Sequence, residues 1–259
     1  MGNYYFVGTI LPELQIGVPP EISFEEFMQL LKDNLENHDL QLTRILRSYY
    51  DIENMRSLWK EEPLDPFANL DANDLDDALF HPELLDSYVR TFLETHESKE
   101  ARLRYFPQLL AAYFYNESNS TTGFIKRYLQ FERKLRLIQT AFRAKKLNRE
   151  LAEEIQFENP EEDFIQQLLA QKDAATFEPP PGFEELKTVF EEHYSSPIDL
   201  HKALCEYRFQ KVAELGGDDV FTIDRILAYM VQLILVERWQ ELDSEKGNKL
   251  VDIYVKEKR

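Results

Sequence analysis

Residues 226–236 read Ile-Leu-Ala-Tyr-Met-Val-Gln-Leu-Ile-Leu-Val, eleven positions with one polar amide among them. A helix that is apolar nearly all round belongs inside a protein. Eleven residues fall well short of the ~20 needed to cross a bilayer, so the segment reads as the central staff of a helical protein. It runs directly into Glu237, Arg238, Trp239 and Asp243, where an aromatic flanked by fixed charges has the composition of an interface hot spot. The opposing reading is an internal cap, with Trp239 packed on the body and Glu237 paired to a neighbour.

The rest of the chain agrees with an all-α fold. Its 259 residues include only 8 glycines, while 43% are hydrophobic and 13% aromatic. That supplies a substantial core and few of the turns that short strands need. Ser23 with Glu26 forms a capping box ahead of a helix beginning at Phe24. Leu42, Ile45, Leu46, Tyr49 and Ile52 keep helical spacing on a second helix reaching about Trp59, which Pro63 and Pro66 stop. Pro82 suits the first position of another helix, and residues 101–115 supply an aromatic-rich helix around Pro107. Phe124, Tyr128, Phe131, Leu135, Ile138 and Phe142 mark the seam of a long helix ending near Lys146. Asn159 and Pro160 suggest a further helix start, and Pro179, Pro180 and Pro181 a stiff connector. Ser196 and Pro197 open a helix that Gly216 and Gly217 close, and Thr222 caps the last one. The first twenty residues, an apolar run ending at Pro12 and followed by Pro19 and Pro20, are expected to be extended and docked on the body. Residues 116–123, rich in Asn, Ser and Thr, are the most loop-like stretch. Three lobes follow from these breaks: 1–117, 118–176 with the basic helix, and 177–259.

Charge narrows the function classes. The net charge of −18 opposes a nucleic acid or an anionic membrane surface as the main partner, since both require cationic footprints. Partners are expected to be proteins, and any membrane association to run through them. A single cysteine permits no internal disulfide and suits a reducing cytoplasm. The N-terminus shows no secretory pattern.

Against this acidic background, residues 126–149 carry nine basic side chains and one acid, Glu132. Lys126, Arg133, Arg136 and Arg143 fall opposite the apolar seam and are expected to form a cationic stripe that docks an acidic protein. The alternative is that the stripe pairs internally with acidic helices, because such pairs are common. Asp51, Glu53, Asn54 and Arg56 read as a solvated helical face.

Signals for chemistry are weak. Residues 71–77 superficially suggest calcium but fail the EF-hand pattern at positions five, six and twelve, and read instead as a helix N-terminus. The five histidines form no HExxH and no i,i+4 pair, and no phosphate-binding glycine loop or nucleophile elbow is present. No cofactor or metal is expected. His201 and Cys205 share a helical face, where a packed core thiol is favoured over a nucleophile.

A resemblance is carried by Phe221-Thr222-Ile223-Asp224-Arg225-Ile226, then Val236-Glu237-Arg238-Trp239, Leu242-Asp243 and Glu245-Lys246-Gly247. Asn3-Tyr4-Tyr5-Phe6-Val7 with Leu11-Pro12, and Ser87-Tyr88-Val89-Arg90-Thr91-Phe92-Leu93, belong to it as well. In these segments the chain resembles a bacterial family of unknown function whose genes lie among those of V-type ATPase subunits. The resemblance implies an elongated helical bundle with pseudo-threefold repeats, similar to the C-type (also called d-type) subunit of V-type ATPases. It further implies a non-catalytic part of a V-type ATPase or ATP synthase, linking the central shaft to the membrane rotor ring at the cytoplasmic face. Helices rich in tyrosine and basic residues near 44–59, 124–146 and 224–242, with Arg44-Ile45-Leu46 echoed by Arg225-Ile226-Leu227, are the traces of such a repeat in the residues themselves. A helical adaptor or assembly factor that binds an acidic partner is the alternative, and an enzyme using His201 and Cys205 is a third class.

Overall fold

Thirteen α-helices and one 3-10 turn, with no strand, make up the described part of the chain. A computed structural model describes residues 4–172, 174 and 176–257, with side chains to residue 242. The contacts gather into two compact units, residues 1–43 with 195–259 and residues 44–194, a different grouping from the three consecutive lobes read from the sequence.

The first unit is built on its last helix. Here α1 is Tyr4–Ile10, α2 is Phe24–Asn34, α3 is Asn37–Lys60 (its first turns only, the rest belonging to the second unit), α12 is Pro197–Gly216 and α13 is Ile223–Glu257. Every residue from Ile226 to Val236 is buried, as the staff predicts. Its one amide is satisfied, because Gln232 Nε2 donates to the carbonyl of Phe209 in α12 at 3.2 Å. The approach of α12 to α13 depends on Gly216, where an added Cβ would lie 2.5 Å from the Cβ of Ala228. Gly217 then ends α12 at φ 75°, a conformation that a side chain would strain. Start signals hold here too: Ser196 caps α12, Thr222 accepts from the N–H of Arg225, and the Ser23 and Glu26 box at α2 is reciprocal.

The N-terminal segment departs from expectation. Residues 4–10 are helical, not extended. An apolar run this short does not distinguish strand from helix, and the burial of Val7 with Tyr4 and Leu11 half-buried gives the spacing of one helical face. Tyr4 donates its hydroxyl to Asp39 at 2.8 Å, and burial, then that carboxylate, pushes the phenol up to about 12.

The second unit starts with the remainder of α3. It continues with α4 (Ala72–Phe80), the 3-10 turn Pro82–Leu84, α5 (Ser87–Thr95), α6 (Lys99–Arg104), α7 (Phe106–Ser120), α8 (Gly123–Lys146), α9 (Leu151–Glu154), α10 (Asp163–Leu169) and α11 (Glu185–His193). Its core follows the seam of α8, on which Phe124, Leu135 and Ile138 are fully buried against α7 and α9. Phe142 of that seam stacks on Phe190 at 4.1 Å and meets Phe177 edge-on at 4.9 Å.

Four local expectations change in this unit. The polar stretch at 116–120 completes α7, because Asn116, Ser118 and Ser120 each bond back to a carbonyl three or four residues earlier. The helix expected around Pro107 is two, since the chain breaks at Tyr105 and Pro107 occupies the start of α7. Asn159 makes a turn rather than a cap, so α10 begins only at Asp163. The end of α3 is no solvated face: Asp51 and Asn54 are buried and hold the following loop. Asp51 accepts from the backbone of Asn69 and Leu70 at 2.7 and 2.9 Å, and Asn54 exchanges bonds with Asp65.

Candidate functional site

The cationic helix α8 is where the sequence places docking, and the structure divides its charges into two kinds. Arg133 turns inward. Its Nε and Nη2 donate to Glu158, and its Nη1 and Nη2 to Glu162 at 2.9 and 2.8 Å, a bidentate clamp on the segment before α10. Only 17% of that side chain is exposed. Burial opposes its charge, but the two carboxylates outweigh it and raise the guanidinium pKa.

Arg136 turns toward α3. It donates to the hydroxyl of Tyr49, lies 3.7 Å from Glu53, and covers the rings of Tyr49 and Phe114 at 5.4 and 5.9 Å. Desolvation pushes the phenol of Tyr49 up to about 12, with Arg136 pulling the other way. Lys145 closes another internal link by donating to the carbonyls of Lys172 and Ala174, while Lys126 stays half-buried. Two of the four stripe residues, Arg133 and Arg136, are therefore engaged within the unit.

What remains outward is a cleft of about 330 Å³ between α6, α7, α8 and α9. Five guanidinium groups line it, from Arg56, Arg104, Arg133, Arg136 and Arg143, against two carboxylates, Glu154 and Glu158. Leu110, Phe114, Leu137 and Ile155 give it an apolar floor. Arg56 is committed to Glu53 at 3.3 Å and lies over the Phe106 ring. Arg143 and Arg104 are exposed at its edge and, among the described residues, neither pairs with a carboxylate. The sequence places three of these arginines in the stripe and Arg56 on a solvated helical face, and gives no sign of Arg104.

The second predicted set, on α13, faces its own unit. Glu237 Oε1 accepts the N–H of Phe24 at 2.6 Å and so serves the N-terminus of α2. Desolvation raises its pKa, the Phe24 bond lowers it, and Glu241 raises it further. Trp239 is buried beneath the ammonium of Lys202, 4.8 Å from the ring, and beside Gly17. Arg238 is half-buried, and the side chain of Asp243 lies outside the described residues. Buried in this way, Trp239 has the placing of an internal cap.

Cys205 is buried with its Sγ 3.5 Å from His201 Nε2. Loss of water around the ring, then Arg208 and Arg238, lower the His201 pKa, so the imidazole is neutral at pH 7. Leu204 and Tyr207 are buried beside the thiol, the packed placement the sequence favours. Among the described residues, no group of three or more His, Cys, Asp or Glu is placed to hold a metal ion, and no helix is long and apolar enough to cross a membrane.

The chain belongs to the family described as protein of unknown function (DUF2764), which matches residues 1–258. It is similar to an uncharacterized protein of Chlamydia muridarum, with 26% identity over 99% of this chain and 98% of that protein. Uncharacterized proteins of Chlamydia trachomatis and Chlamydia pneumoniae are 26% and 27% identical, over 99% and 97% of this chain and 98% and 97% of their own lengths. No solved structure matches the chain.

Proposed function

We propose that this member of the DUF2764 family is a non-catalytic helical component of a bacterial V-type ATPase or ATP synthase, similar in role to the C-type subunit that joins shaft to rotor ring. One observation carries the reading beyond the resemblance. Helix α13 is a single rod of 35 residues, about 52 Å long, whose first turns are buried in the first unit. A rod fixed along one end transmits displacement applied at the other, which is what a part between shaft and ring must do. In this reading the chain is cytoplasmic and reaches the membrane only through partner proteins.

The arginine-lined cleft favours a second reading, an adaptor or assembly factor that grips an acidic protein. Purification of the native ATPase from a bacterium that carries both separates the two. Stoichiometric retention of this chain in the intact complex is the expected result, and its absence there would overturn the stalk reading in favour of the adaptor.

A further inference from the structure

The second unit carries a prominence whose chemistry is the complement of its own cleft. Phe80, at the end of α4, is 81% exposed, and Leu84, in the 3-10 turn that follows, is 74% exposed. They stand four residues apart among Asp76, Asp77, Glu83 and Asp86, all exposed. Large apolar side chains this bare, set among carboxylates, are arranged like anchors awaiting a pocket; Phe80 meets the ring of His81 at 5.0 Å, and His81 Nδ1 lies 3.2 Å from Glu83. The cleft offers the reverse pattern: an apolar floor under arginines, two of which, Arg104 and Arg143, are without a carboxylate partner among the described residues.

We propose that the cleft of one copy receives the acidic, apolar prominence of a second copy, with Phe80 and Leu84 on the floor and the flanking carboxylates against Arg104 and Arg143. Charge complementarity selects this occupant. A dense polyanion such as a polyphosphate would also meet Glu154 and Glu158 inside the cleft, whereas a short segment with carboxylates on either side of two apolar side chains meets arginine at the rim and hydrocarbon beneath. The volume of about 330 Å³ lies at the low end for ligand pockets, in keeping with two side chains. The contact joins two different surfaces, so it is heterologous, and each associated pair keeps one free prominence and one free cleft. A contact made by two apolar side chains and their flanking charges is small, so self-association is expected to be weak. The inference is independent of the ATPase reading, which stands or falls on copurification.

Sedimentation of the full chain at 0.15 M salt, where net repulsion is screened beyond ~8 Å, provides the test. The wild type is expected to grow in mass with concentration past the dimer. Phe80→Ser with Leu84→Ser removes the prominence, and Arg104→Glu with Arg143→Glu inverts the cleft. Each double variant should weaken association at least tenfold while its thermal unfolding stays cooperative. An equimolar mixture of the two should restore a 1:1 complex that grows no further, because one brings an intact cleft and the other an intact prominence. A wild type that remains a single copy to about 200 µM, or a mixture that forms no such complex, overturns the proposal.

Discussion

Glu237 and Phe24, 213 residues apart, are joined by a hydrogen bond of 2.6 Å from the Phe24 N–H to the Glu237 carboxylate. The start of α2 is thereby held from two sides, since Ser23 and Glu26 satisfy neighbouring groups. Glu237→Ala is expected to cost about 1–2 kcal/mol, as the loss of a helix cap does. Glu237→Gln keeps an acceptor at the same place and should cost less than half of that, both read from urea denaturation at pH 7.

Arg133 and its two carboxylates tie α8 to the segment before α10. Truncating Arg133 leaves Glu158 shielded and uncompensated, so Arg133→Ala should destabilise by about 2–4 kcal/mol. Adding Glu158→Gln to that variant should recover part of the loss. Equal stability of the single and double variants would show that charge is not what the clamp contributes.

Asp51 gives a pH signature with a defined sign. Burial, partly offset by bonds from Leu70 and Asn69, raises its pKa above the ordinary 3.8. The folded state then holds the proton more tightly than the unfolded chain. The contribution of this group is greatest below the ordinary value and is lost as pH rises through the raised one. The stability of Asp51→Asn relative to the wild type should therefore improve between pH 3.5 and the end of that titration and be level above it. Asp51→Ala, which strands the N–H groups of Asn69 and Leu70, should cost about 2–4 kcal/mol at pH 7.

Gly216 sets the distance between α12 and α13. Its missing Cβ leaves room for Ala228, whose own Cβ would otherwise stand 2.5 Å away. Gly216→Ala forces both helices to yield and is expected to lose about 1–3 kcal/mol, as overpacked cores do. A gain from the better helix former would show that the two helices separate without cost. Guanidinium denaturation decides between them.

The parts of the fold that the sequence revealed are those decided locally. The capping box at Ser23, the proline and glycine that bound α12, the staff of α13 and the seam of α8 all depend on a few neighbouring residues and one face. What escaped depends on partners that composition and periodicity do not mark, some one turn away and some distant in sequence. Asn116 to Ser120 looks like a loop by composition, yet α7 continues through it because backbone carbonyls one turn back accept the polar side chains. Asp51 and Asn54 look solvated until the loop at 65–70 folds over them.

The site divides along the same line. A helical wheel sets Arg133, Arg136 and Arg143 away from the apolar seam of α8, yet that side also carries the buried Leu129 and Leu137, and Arg133 and Arg136 turn inward. The wheel contains no information about Glu158, Glu162 or Tyr49, whose positions decide that two of the three are consumed. Arg104 and Phe80 were passed over because nothing periodic marks either; only their exposure in the folded unit makes them conspicuous.

The burial of Cys205 has a practical outcome. With a single cysteine in the chain, and that one enclosed on α12, a thiol reagent can react only when the first unit opens around it. Its labelling rate in native buffer is thus a clock for that opening, readable without any engineered probe.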